Sequence, residues 1–247
     1  MDKKIRVAAV SYLNTKPLIW GFEQGRLKDD IELIFDYPAK VAAMLLNDEA
    51  DIGLVPVAMI PRMNEHHIIS DYCIGAVEAV ASVCLFSNVP LPEITHILLD
   101  YQSRTSAALL KILLKEHWHI DPVLTNTTEG YQELITGTTA GLVIGDRALK
   151  QRKSSLYIYD LAEAWQQMTG LPFVFAAWVA NKQLPASFIS DFNKATGEGF
   201  NHLQEIVAAH SFPDYDLHTY YSKNIDYRLD DQKRKAMALF LEKIDKT

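Results

Sequence analysis

"EADIGLVPVAMI" (residues 49–60) and "TAGLVIGDRALK" (139–150) decide how the fold is read. Each runs from a helix end through a small residue into "GLV", then a turn, then a helix start. A second pair keeps the same order. "AAVSYLNTKP" (8–17) and "LLDYQSRTSA" (98–107) both put a hydroxyl-rich turn at the carboxyl end of an apolar run. Short apolar runs between turn signals are the pattern of strands buried on both faces. One such match is what any βαβ unit gives. Two, in order and at comparable separations, raise the case for two similar α/β lobes, with generic βαβ units as the equal alternative.

The flanking segments extend the alternation. Ile5–Val10, Glu32–Tyr37 and Ile52–Val55 read as strands, separated by helices at Pro17–Glu23 and Ala39–Asn47. Ile94–Leu99, a short strand near Val123–Leu124 and Gly141–Ile144 repeat the order, with helices at Thr105–Glu116 and Glu129–Thr136. Asp160–Met168 is amphipathic, with Asp160 and Glu163 as an N-terminal cap pair and Gly170 as its stop. Phe173–Ala180 is a strand, and helices follow at Pro185–Ala195 and Asp231–Ile244. Strands alternating with helices predict an α/β fold with largely parallel sheets. The proline-bearing stretches Ser87–Pro92 and Thr169–Pro172 are the expected crossings between lobes. They divide the chain into a discontinuous lobe, 1–87 with 172–247, and an inserted lobe, 88–171. Two short stiff crossings suit a hinge above a cleft.

Bulk properties narrow the function. A chain of 247 residues can bury a sizeable core, and a net charge of −7 disfavours nucleic acid or an anionic membrane surface as partner. No signal-peptide pattern follows Met1, and no apolar run approaches the roughly 18 residues of a spanning helix, so a cytoplasmic location is expected. Cys73 and Cys84 stand in apolar segments without metal-ligand spacing and read as buried free thiols.

Ligands of open α/β sheets collect beyond the carboxyl ends of strands. Four turns qualify: Ser11–Lys16, Pro56–Val57, Ser103–Ser106 and Gly145–Arg147. Ser103-Arg104-Thr105-Ser106 combines three hydroxyls, a guanidinium and a helix start, a set suited to a carboxylate. The plainer alternative is a serine N-cap beside an exposed arginine. Asn14 and Thr15 precede Pro17, and capping needs only one of them; Ser11 and Tyr12 lie beside them. Asp146 either orients a ligand hydroxyl or caps the helix after it. Ser82 lies in the apolar "EAVASVCLFS", where a serine is ordinarily a small core residue. There is no glycine-rich phosphate loop, G-x-S-x-G, H-E-x-x-H or CxxC, and His66, His67, His117 and His119 read as surface residues. The residues alone describe a two-lobed binder of a small anion.

Taken together, "VSYLNTKPL", "DIGLVPVA", "SRTSAALLKILL", "LVIGDRAL", "YDLAEAWQQMTGLPFVFAAWV" and "NIDYRLDDQKRKAMALFLEKI" resemble the chorismate dehydratase family, in order along nearly the whole chain. That family serves the futalosine route to menaquinone. The resemblance implies the fold of type II periplasmic binding proteins, two α/β lobes around a cleft, in a cytoplasmic enzyme. The implied reaction removes water from chorismate to give 3-[(1-carboxyvinyl)oxy]benzoate, with no metal and no organic cofactor. The family's asparagine falls on Asn14 and its serine on Ser82, with Ser87 as the alternative position. Ser103, Arg104, Thr105 and Ser106 would hold a substrate carboxylate, and Ser11, Tyr12, Pro56, Gly145 and Asp146 complete the expected contact set. The rivals are the related 1,4-dihydroxy-6-naphthoate synthase, which relies on a catalytic histidine, and a cytoplasmic small-carboxylate binding protein.

Overall fold

The computed structural model describes residues 4–246. β1 (Ile5–Val10), β2 (Ile31–Asp36), β3 (Ile52–Pro56) and β4 (His67–Ala76) come first. β5 (Val83–Ser87), β6 (His96–Leu99), β7 (Val123–Asn126), β8 (Thr139–Ile144) and β9 (Tyr157–Asp160) follow, and β10 (Phe173–Ala180) and β11 (Asp226–Arg228) close the set. They form two sheets, ordered β11-β4-β10-β3-β1-β2 and β7-β6-β8-β5-β9. The helices that matter for the site are α1 (Lys16–Glu23), α2 (Pro38–Leu46), α3 (Arg104–Leu113), α4 (Gly145–Gln151) and α5 (Leu161–Thr169).

Both sheets are mixed rather than largely parallel. β1 pairs parallel with β2 and β3, and β6 with β7 and β8. β10 runs antiparallel to β3 and β4, and β5 antiparallel to β8 and β9. β5 and β10 are strands that arrive from the other sheet, so they enter at the edge where the parallel strands end. All eight residues of β10 are buried, as a central strand covered on both faces requires. Trp178 packs edge-on to Phe22 and Phe192, and Phe173 to Trp165 and Phe240. Each such side chain contributes about 1.5–3 kcal/mol through burial.

The expected seam at Ser87–Pro92 is one strand late. β5 belongs to the second sheet, so the chain passes between sheets within residues 77–82 and returns between Asp160 and Phe173. An apolar run such as "SVCLFS" carries no sign of which sheet it joins. The expected helix over 129–136 contracts to a 3-10 turn, Tyr131–Leu134, because Gly130 (φ 84°) and Gly137 (φ 57°) break the chain on either side. Asp160 caps α5 by accepting from Ala162 and Glu163 N–H, and Gly170, at φ 71°, ends it. Cys73 and Cys84 are buried free thiols, and burial pushes Cys73 up to about 12. No helix among the described residues is long and apolar enough to cross a membrane.

Candidate functional site

The turns after β1, β3, β6 and β8 meet at one edge of the two sheets, around a cleft with a cavity of about 50 Å³. Tyr12, Asn14 and Thr15 line it from the first sheet, with Pro56 at the end of β3. Ser103, Ser106 and Gly145 line it from the second, together with Ser82.

Asn14 sits in a 3-10 turn, Leu13–Thr15, ahead of α1. Neither that turn nor α1 has a side-chain cap, so the amide is not consumed by its own helix. Tyr227 holds the backbone there, its hydroxyl donating to the Asn14 carbonyl at 3.0 Å. The Thr15 hydroxyl donates to Asn14 Oδ1 at 3.3 Å. Ser82 lies just before β5, not inside a strand, and its Oγ accepts from the Tyr220 hydroxyl at 2.7 Å. Its carbonyl accepts from Gly145 N–H at 2.8 Å, which fixes Ser82 beside the start of α4. The preceding Ala81 adopts φ 65°, a left-handed conformation that costs an alanine about 1–2 kcal/mol. Asp160 holds this turn from behind: its carboxylate accepts from Val80 N–H at 3.1 Å and Ala81 N–H at 2.7 Å. The alternative, Ser87, is at the far end of β5, where its Oγ donates to the Val89 carbonyl at 2.8 Å.

The Ser103–Ser106 turn divides between two faces. Ser103 is the N-cap of α3, accepting from Ser106 N–H at 3.1 Å, and its hydroxyl donates to Ser106 Oγ at 2.8 Å. Both serines line the cleft. Thr105 does not: it is buried, and its Oγ1 accepts from Ala58 N–H at 3.2 Å. Arg104 is exposed and lines a separate groove with Arg62 and Lys111, so the expected guanidinium contact is absent from the cleft. On a helix, consecutive residues point about 100° apart, so one turn cannot aim all four side chains at one ligand.

Two other expected contacts also fall elsewhere. Ser11 is exposed outside the cleft lining, with its N–H donating to the Asp36 carbonyl at 3.1 Å. Asp146 accepts from Leu13 N–H at 3.0 Å and so ties the Asn14 turn to α4. Burial holds its carboxyl above the usual range, against the opposing pull of that N–H. The Tyr12 hydroxyl donates to Gln102 Oε1, a second tie across the sheets. Gln102 Oε1 also accepts from Arg147 Nη2 at 2.8 Å, and Arg147 Nη2 is paired with the buried Asp100 at 3.0 Å. Burial raises the Tyr12 phenol well above its ordinary value, which keeps it a neutral donor. Gly145 takes φ 64°, and a Cβ there would lie 2.8 Å from the Tyr12 ring, so glycine is required on both counts.

Sequence reasoning missed the apolar floor formed by Leu54, Ile74, Phe175 and Ala176. The carboxyl-end rule locates only parallel strands. Phe175 and Ala176 stand at the amino end of antiparallel β10, where Ala176 pairs with Pro56. Tyr220 was missed as well, since nothing in "LHTYYSKN" singles it out. Among the described residues, those lining the cleft include no charged side chain and no histidine. No group of three or more His, Cys, Asp or Glu positioned for a metal ion occurs among the described residues.

The arrangement offers the Ser82 and Ser106 hydroxyls, the Asn14 amide and the start of α3, above an apolar floor, while the Tyr12 and Ser103 hydrogens go to Gln102 and Ser106. It can orient and hydrogen-bond a flat anionic molecule. Comparison with known proteins agrees with a fold of this kind. The profile of a family described as menaquinone biosynthesis matches residues 5–246. A chorismate dehydratase of Thermus thermophilus is 29% identical over 229 residues, covering 83% of each chain. A solved protein of Archaeoglobus fulgidus superposes with a TM-score of 0.80 at 13% identity, covering 98% of this chain and 97% of its own. A Candida albicans protein described as having the generic periplasmic binding protein fold superposes with a TM-score of 0.69 at 12% identity, over 99% of this chain and 91% of its own.

Proposed function

The chain belongs to the menaquinone-biosynthesis family, and from that premise we propose that it is a chorismate dehydratase, a hydro-lyase giving 3-[(1-carboxyvinyl)oxy]benzoate. The observation that carries the reading is the meeting of Asn14, Ser82, Ser103 and Ser106 in one uncharged cleft. A histidine-dependent rival has no residue to work with there. Two lobes also agree with the family fold, with the second sheet's residues as the inserted lobe.

Chorismate loses the proton at C3 and the hydroxyl at C4. The C3–H electrons become the new ring double bond as the C4–O bond breaks, and the ring becomes aromatic. Much of the driving force therefore resides in the substrate, and the protein's task is placement. The Ser103–Ser106 turn and the start of α3 hold a carboxylate through neutral donors. Ser82 and Asn14 hydrogen-bond the departing hydroxyl as it gains charge. The family resemblance implies that the substrate's own enolpyruvyl carboxylate takes the C3 proton, and a cleft lining without carboxylate or imidazole among the described residues fits that role.

The direct test is incubation with chorismate alone and chromatography of the product; unchanged chorismate would sink the reading. Ser106→Ala is expected to lower kcat/KM by about 10- to 100-fold, the worth of one hydrogen bond to a charged group. Arg104→Ala, whose side chain faces another groove, should stay within about twofold. The reverse order in steady-state kinetics would mean that the carboxylate is held elsewhere. With only neutral donors at the cleft, kcat should be flat between about pH 6 and pH 9. A titration limb within that range would point to an ionising catalytic side chain instead.

A further inference from the structure

We infer that Tyr220, which does not line the cleft, is a positioning residue that sets the direction of the Ser82 hydroxyl. The inference rests on the proposed reaction and goes one residue behind its contacts.

Tyr220 is fully buried. Its hydroxyl donates to Ser82 Oγ at 2.7 Å. A phenol has one hydrogen, and here it is spent on Ser82. Ser82 Oγ is thereby an acceptor from the protein side, and its own hydrogen is left to point at the cleft that it lines. The result is a directional relay, Tyr220 O–H to Ser82 O–H to the departing hydroxyl. Bonds aligned in this way polarise one another, so Ser82 becomes a stronger donor as charge develops.

The local structure is built to hold that phenol. Tyr220 opens a π-helical turn, Tyr220–Asn224, after the short helix Leu217–Thr219. π-turns of this kind recur at functional sites. Asp216 caps the segment, accepting from Thr219 N–H at 3.0 Å. Asn224 Nδ2 donates to the Ala79 carbonyl at 3.0 Å, and the Tyr215 hydroxyl donates to Asn224 Oδ1 at 3.0 Å. The segment is thus fastened to the same 77–82 crossing that carries Ser82.

The test is a double-mutant cycle on chorismate turnover. Tyr220→Phe is expected to lower kcat by about 10- to 100-fold with KM within about threefold. Added to Ser82→Ala, it should lower kcat by no more than about twofold further, because its target is gone. Site-specific fluorotyrosines at position 220 keep shape and hydroxyl while strengthening the donor; kcat should shift with their acidity while the thermal midpoint stays fixed. Full activity of Tyr220→Phe, an equal loss in both Ser82 backgrounds, or indifference to fluorination would each overturn the assignment. If Tyr220→Phe fails to fold, the fluorotyrosine series alone decides. Wild-type protein inert toward chorismate would overturn the proposed function and this inference with it, whereas active wild type with an unaffected Tyr220→Phe overturns this inference alone.

Discussion

Asn14→Ala and Ser82→Ala are each expected to lower kcat for the proposed chorismate dehydration by about 10²–10³-fold, the usual cost of removing one donor aimed at developing charge. KM changes little, because neither group is the proposed holder of the ring carboxylate. The expectation follows from placement. Asn14 caps no helix, and Ser82 is the residue after a left-handed alanine and beside Gly145. Because both donors are proposed to serve the same departing hydroxyl, the two losses should fall short of additive when combined. Steady-state kinetics of the two single variants and the double variant measure this. Near-normal turnover in either single variant removes that residue from the mechanism.

Asp160→Asn is the substitution with the largest expected effect on stability, about 1–3 kcal/mol. The carboxylate is buried and accepts from Val80, Ala81, Ala162 and Glu163 N–H. Burial pushes its carboxyl above the usual range, although those four N–H groups oppose the shift. An amide keeps the shape but turns one oxygen into a donor facing N–H groups, and no rotamer removes the conflict. The thermal midpoint should fall by about 2–4 °C for each kcal/mol lost. Turnover should fall as well, since Val80 and Ala81 precede Ser82. A midpoint within about 1 °C of wild type, with full activity, would show that the crossing does not depend on this carboxylate.

The sign of any pH effect follows from the same shift. A carboxyl raised in the fold favours the protonated native state. Asp160 and Asp146 therefore reduce stability as pH rises from their ordinary value through the raised one. Neither group contributes to acid unfolding.

Much of this architecture is legible in the chain. The repeated "GLV" units, the Asp160 cap and the Gly170 stop all appear where their local chemistry requires. Pairing partners do not, because β5 is apolar enough to sit in either sheet, and only long-range contacts assign it. The same limit applies to the site. Asn14, Ser82, Ser103 and Ser106 reach the cleft as the motifs suggest. Arg104 and Thr105 do not, since helical geometry turns them away and spacing along the chain does not encode azimuth. Tyr220 lies 138 residues from Ser82, and no local pattern could have joined them.

The absence of any charged side chain among the described cleft residues has a consequence for selectivity. An anion entering such a space surrenders its water without gaining a full counter-charge. Sulfate and phosphate, which hold water tightly, would lose more than they recover. An organic acid on a flat carbon ring brings apolar faces that Val10, Leu54, Ile74 and Phe175 can cover. The cleft thus sorts anions by how reluctantly they dehydrate, and cellular salts are poor competitors for it.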